Sequence, residues 1–191
     1  MTMNDRVSIS IADGVADVRL VRADKMNALD PPMFDALSAA GERLKTEPGL
    51  RAVVLSGEGR AFCAGLDMMS FAAIQSSQAN ALRDLKARTH GVANLFQHVV
   101  WVWRDVPVPV IAAVHGVAFG GGFQLMLGAD MRYLAPDTKL SIMEIKWGLV
   151  PDMAGTQLMR NLVREDIVMR DGPKYMLTDS LYREWIARKT F

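Results

Sequence analysis

The chain has 191 residues, 50% of them hydrophobic, enough to bury a real core as one large domain or one domain with an appendage. Its 22 Lys and Arg balance 21 Asp and Glu, so charge gives no case for binding nucleic acid or an anionic membrane surface. One cysteine, Cys63, excludes an internal disulfide framework and fits a reducing compartment; three scattered histidines, His90, His98 and His115, offer no metal-ligand spacing.

The first residues are polar, with no apolar signal core. Val7–Ala12 and Val15–Leu20 alternate around Asp13-Gly14, which predicts a hairpin. Asp30-Pro31 predicts a helix N-cap followed by Pro at the first helical position. The helix turns Met33, Phe34, Leu37, Ala40 and Leu44 inward and ends near Glu47-Pro48-Gly49. Ala52–Ser56 is a short buried strand, and 72–104 is expected to be helical with a change near Gly91. Val110–Val114 is a further strand. It leads through Gly120, Gly121 and Gly122 into a helix reaching about Gly128. Met131–Leu134 and Lys139–Met143 are expected strands, and Gly155–Val163 has helical spacing. The alternation predicts an α/β domain with largely parallel strands. The longest apolar stretch, Val106 to Phe119, is too short and too interrupted to span a bilayer, so a soluble, cytoplasmic protein is expected. After Val163 the sequence is charged and irregular, with one weakly amphipathic helix from Leu177 to Ala187.

The glycine turn carries the most chemistry. Glycines between a strand and a helix let backbone approach a ligand, and the N–H groups that open the helix favour an anion. No Lys follows the turn as a phosphate loop requires, position 125 is Leu where a dinucleotide loop needs glycine, and no serine stands there for a nucleophile elbow. An oxyanion formed during a reaction is the better candidate. A tight packing turn is the plainer alternative.

Glu144 stands among Met143, Ile145, Trp147 and Leu149, and Asp152 follows eight positions later. A carboxylate in such company is expected to be desolvated, which favours a base near neutral pH. The plainer alternatives are an ion pair for Glu144 and an N-cap for Asp152, ahead of a helix starting near Met153. The loop from Arg60 to Asp67 is a second place where small residues, Ala64 and Gly65, would let a flat group approach backbone. Cys63 is expected to be buried filler, and His115 a hydrogen-bonded structural residue.

Together these segments resemble the enoyl-CoA hydratase/isomerase (crotonase) family. Arg22-Ala-Asp-Lys-Met-Asn-Ala-Leu29 is similar to its R-P-x-x-x-N-A-L segment, with Ala23 for Pro. Phe62-Cys-Ala-Gly-Leu-Asp67 is similar to its F-x-A-G-x-D loop. His115 to Gly122 is similar to its G-x-x-x-G-G-G turn, and Glu144 to Pro151 with Gly155-Thr-Gln157 to its E-x-x-x-G-x-x-P…G-T-Q segment. The match covers roughly 7–165, giving a core over 1–165 and an atypical segment over 166–191.

The resemblance implies a spiral of ββα units that binds acyl-coenzyme A thioesters, with coenzyme A as part of the substrate and no separate cofactor or metal. It implies an oxyanion hole from the N–H groups of Leu66 and Gly121. It implies coenzyme A contacts at Lys25, Ala64, Gly65, Leu66, Asp67, Met68 and Gly121. Glu144 is implied as the catalytic carboxylate, with Asp152 at the offset of a second acid in dienoyl-CoA isomerases. Those enzymes carry an aspartate where this chain has Gln124, and typical hydratases carry a glutamate there. Glutamine can hydrogen-bond a water but cannot exchange its proton. Double-bond isomerisation is therefore expected over hydration, with a non-catalytic acyl-CoA-binding protein as a further alternative. A Clp-type peptidase on the same spiral would need a serine at Gly121–Phe123, and none is there. The family also implies a homotrimer or hexamer built by later helices. Residues 167–191 do not resemble that region, so apolar surface is expected to stay uncovered and favour association.

Overall fold

The computed structural model describes residues 2–3, 5–70, 85–164, 168–171 and 174–177. Two compact units are distinguished, Met1–Gly155 and Thr156–Phe191.

The first unit is built on a six-stranded sheet. Its strands are β1 (Thr2–Met3), β2 (Val7–Ala12), β3 (Val15–Leu20), β4 (Ala52–Gly57), β5 (Val110–Val114) and β7 (Met131–Leu134), in that spatial order. β2 and β3 form the expected antiparallel hairpin. Asp13 and Gly14 turn it with φ of 49° and 75°, the left-handed pair that matches strand twist. From β3 through β4 and β5 to β7 the pairing is parallel. The core face is apolar in strict alternation: Ala16, Val18 and Leu20, then Val53 and Leu55, then Val110, Ala112 and Val114 are buried. Each fully buried Val or Leu contributes about 1.5–3 kcal/mol relative to an exposed one.

Helix α1 (Pro31–Leu44) starts as the sequence predicts, with Asp30 accepting a hydrogen bond from Met33 N and Pro31 at its first position. Its buried face includes Met33, Phe34, Leu37, Ala40 and Leu44. It packs on α2 (Leu95–Asp105), where Phe34 meets Phe96 edge-on at 4.9 Å. Helix α2 begins at a reciprocal cap between Asn94 and Gln97, so the helix expected over 72–104 is corrected for residues 85–94 and agrees from Leu95 onward. Residues 85–94 are turns and extended chain, because the Asn94–Gln97 box starts the helix there; 71–84 lie outside the described residues.

Two further differences shape the site. The chain does not pass directly from β5 into the glycine turn. A short strand, β6 (Val117–Phe119), intervenes and pairs in parallel with β8 (Lys139–Ser141). β8 is shorter than expected, because Met143–Trp147 closes into a 3-10 turn. Isolated bridges from Cys63 to Ala118 and from Leu29 to Leu66 extend this small second layer. Strand β5, strand β6 and helix α3 (Gly121–Leu127) thus form one ββα unit. The α/β class and spiral arrangement agree with expectation.

Helix α4 (Gly155–Arg164) follows the expected spacing. Beyond it lies an antiparallel pair, β9 (Val168–Asp171) and β10 (Lys174–Leu177), where irregular chain was expected. The helix expected over Leu177–Ala187 begins in β10, and 178–187 lie outside the described residues. No helix among the described residues is long and apolar enough to cross a membrane.

Candidate active site

Two backbone segments meet at the small second layer. Leu29 N donates to Gly65 O at 2.8 Å, and Asp67 N donates to Leu29 O at 2.9 Å. Leu66, between them, is left with its N–H unused by any acceptor among the described residues. On the other segment, Phe119 N donates to Cys63 O and Gly120 N to Ser141 O, each within 3.0 Å. Gly121 opens α3, and its N–H likewise has no acceptor among the described residues. The segments touch: a Cβ placed on Gly65 would lie 2.6 Å from Phe119 O and 3.6 Å from Gly121 N. Gly65 has φ +91° and Gly120 has φ +50° with ψ −117°, conformations that side chains resist. A Cβ on Gly122 would collide with the carbonyl of Cys63. The glycines thus bring two spare N–H donors together, which suits a developing oxyanion.

Beneath this loop lies an ion network that the sequence reading left without a role. Arg22 Nη1 donates to Asp67 Oδ2 at 2.8 Å and to Ala28 O at 3.0 Å. Arg22 also reaches Asp30 at 3.4 Å, and Arg6 pairs with Asp30 at 2.9 Å. Burial pushes the Asp67 carboxyl up. The hydrogen bond from Arg22, the N–H groups of Met69 and Ser70 and the Arg22 charge outweigh this, and they hold it below its ordinary value. Asn27, fully buried at φ 54°, ties the same segment down: it accepts from Arg22 N and donates to the carbonyls of Glu58 and Ala61. Their signal was present in the sequence, since both lie in the Arg22–Leu29 segment.

Glu144 sits on the 3-10 turn after β8, against Gly120, whose Cβ would lie 3.4 Å from Oε1. Its apolar sequence neighbours do not wrap it: Ile145 is 79% and Val150 71% exposed, and Trp147 and Leu149 are exposed too. The expected desolvation by those neighbours is therefore corrected, since the short turn points them away. Glu144 is half-buried instead by the glycine turn and by Gln124.

Gln124 is 1% exposed. Its amide Nε2 donates to Glu144 Oε1 at 2.7 Å. Its Oε1 accepts from Met153 N at 2.9 Å and Gly155 N at 3.0 Å. The other Glu144 oxygen, Oε2, is buried with no hydrogen-bond partner among the described residues. A buried acceptor without a donor is costly in a folded chain and marks a candidate for proton exchange with a ligand.

Asp152 does not cap the helix, because Gln124 takes the N–H groups of Met153 and Gly155 and α4 starts only at Gly155. Asp152 keeps an exposed edge, but the protein packed around its carboxyl raises its pKa. Its own backbone N–H opposes this, and the nearby Glu144 charge adds to it. Among the other candidates, Ala64 and Leu66 are half-buried, Gly65 is buried, and Lys25 and Met68 are exposed. Asp67 spends its carboxyl on Arg22. Cys63 is fully buried and its thiol is pushed up to about 12 by burial, with a hydrogen bond from Gly65 opposing. His115 Nε2 lies 2.9 Å from Gly59 O, a structural contact. No group of three or more His, Cys, Asp and Glu among the described residues could hold a metal ion.

The family described as enoyl-CoA hydratase/isomerase matches residues 10–171. The chain is 31% identical over 166 residues to (E)-benzylidenesuccinyl-CoA hydratase of Thauera aromatica, covering 86% of this chain and 60% of that protein. It is also 31% identical over 150 residues to the human mitochondrial Delta(3,5)-Delta(2,4)-dienoyl-CoA isomerase, covering 78% of this chain and 46% of that one. Among solved structures, an enoyl-CoA hydratase from Bacillus anthracis superposes with a TM-score of 0.71 at 28% identity, over 83% of this chain and 58% of that chain. The chain therefore spans roughly half to three-fifths of the length of these relatives.

Proposed function

The chain belongs to the enoyl-CoA hydratase/isomerase family, and we propose that it shifts the double bond of an enoyl-coenzyme A thioester. In this reading the thioester oxygen sits between the N–H groups of Leu66 and Gly121. Glu144 removes a proton from carbon 2 of a 3-enoyl thioester. The electron pair delocalises into the carbonyl as an enolate, held by the two donors. The same carboxyl returns the proton at carbon 4, the double bond moves to carbon 2, and no atom is gained or lost. Coenzyme A enters as part of the substrate, along the segment 64–68 and near the exposed Lys25.

The observation that carries this reading is the state of Gln124. Hydration calls for a group to activate water as well as one to deliver a proton. Gln124 has no proton to exchange, and its polar atoms are already engaged with Glu144, Met153 and Gly155. One carboxylate suffices for isomerisation, because the proton it takes is the proton it returns.

A second reading is hydration of a 2-enoyl thioester with Asp152 as the second acid. It is supported by the raised Asp152 pKa and by hydratases among the relatives. Turnover of 3-enoyl-, 2-enoyl- and 3,5-dienoyl-CoA, followed by absorbance, separates these readings. Conversion of the 3-enoyl thioester well above the hydration rate supports isomerisation. Binding without turnover of any of the three leaves a non-catalytic acyl-CoA-binding protein.

A further inference from the structure

We propose that Gln124 is a positioning residue that makes Glu144 a one-oxygen acid–base: it occupies Oε1 and leaves Oε2 to carry the proton. The inference rests on the acid–base role proposed above for Glu144. An amide has two ends, and either could face a carboxyl. Here the choice is forced. Met153 N and Gly155 N both need an acceptor, and Gln124 Oε1 meets both, at 2.9 and 3.0 Å. The NH2 end must then face Glu144, 2.7 Å from its Oε1. A proton on Oε1 would oppose that donor, so a protonated Glu144 holds its proton on Oε2. Oε2 is also the oxygen that is buried without a partner among the described residues. The start of α4 thus sets the orientation of Gln124, and Gln124 sets which oxygen of Glu144 does the chemistry. The close approach leaves no slack: a Cβ on Gly155 would lie 2.6 Å from Gln124 Oε1. The ionisable groups to consider around Glu144 are Asp152, which feels its charge, and the exposed Lys146 on the same turn.

Gln124→Glu separates this role from a merely structural one. It keeps an acceptor for Met153 and Gly155, so the fold is retained, but it replaces the donor with a second carboxyl. Two carboxyls in contact cannot both ionise and will share a proton. The shared proton then takes the place of the amide donor and is lost as pH rises, so the pH–rate profile for 3-enoyl-CoA should gain an alkaline limb that the wild type lacks, with KM little changed. A folded Gln124→Glu chain with the wild-type profile overturns the proposal. Nitrogen NMR of the wild-type chain gives a readout without turnover or Gln124→Glu. The Gln124 side-chain amide signal should titrate with pH, and the titration should vanish in Glu144→Gln. An amide signal that ignores pH in the wild type overturns the proposal. Should the wild type bind acyl-CoA but turn nothing over, the isomerase reading fails alone and the amide titration still decides the role of Gln124.

Discussion

Gln124 and Glu144 meet through one hydrogen bond of 2.7 Å, from the amide of a fully buried helix residue to the carboxyl of a short turn. The bond joins α3, whose first N–H is a candidate oxyanion donor, to the carboxyl that is the candidate base. Donor and base are therefore held by one rigid connection.

The oxyanion donors can be tested by removing one. Gly121→Pro deletes the N–H at a helix position that has no intrahelical acceptor, so α3 keeps its own hydrogen bonds. The added Cβ meets Leu29 and Met153 side-chain ends, at 2.7 and 2.9 Å, and these can move. Turnover should fall about 10²–10³-fold, while circular dichroism stays that of the wild type. A variant at full rate removes Gly121 from the oxyanion hole.

The ion network under the loop predicts a pH-dependent stability. Arg22→Met leaves the Asp67 carboxylate only the N–H groups of Met69 and Ser70, which costs about 1–3 kcal/mol near neutral pH. The folded-state pKa of Asp67 lies below its ordinary value. Its contribution is therefore complete above the unfolded pKa of about 3.9 and is lost as pH falls through the folded value. Denaturant titrations should show a large gap between wild type and variant at pH 7 that closes below about pH 4. A gap independent of pH would assign the loss to Arg22 packing alone.

Much of this was legible in the sequence because it rests on local chemistry. Asp13-Gly14, Asp30-Pro31 and the apolar alternation of β3 to β5 each specify their element without help from distant residues. The two N–H loops were legible as runs of small residues, although the glycine turn follows the short strand β6 rather than β5. The exceptions have tertiary causes. Within the helix expected over 72–104, residues 85–94 are not helical, and the helical part from Leu95 is fixed by the side-chain cap at Asn94. Asp152 lost its capping role because Gln124, 29 residues from Met153, reaches those N–H groups first. The wrapping of Glu144 could not be judged from its neighbours, since a 3-10 turn sends Ile145 and Trp147 outward.

Cys63 should be chemically silent in the folded chain. It is fully buried, and its thiol lies near 12. Thiolate is the reactive form, so an aromatic disulfide reagent at pH 8 should label it only at the rate of unfolding. Rapid stoichiometric labelling of native protein would contradict the buried position.

The edge strand β7 exposes Met131, Tyr133 and Leu134, and Leu140 adds to the exposed apolar surface. An apolar edge of this kind favours association. Sedimentation should show mass rising with concentration, and Tyr133→Lys should lower it toward the monomer. A wild type that stays monomeric across the concentration range would contradict this.

The central claim, that Glu144 alone carries the proton, is tested most directly by Glu144→Gln assayed on 3-enoyl-CoA beside the wild type. Glutamine preserves the shape and an acceptor for the Gln124 amide but cannot take the proton. Isomerisation should fall at least about 10²–10⁴-fold, while calorimetry shows thioester binding unchanged. A Glu144→Gln chain that isomerises at the wild-type rate would contradict the account.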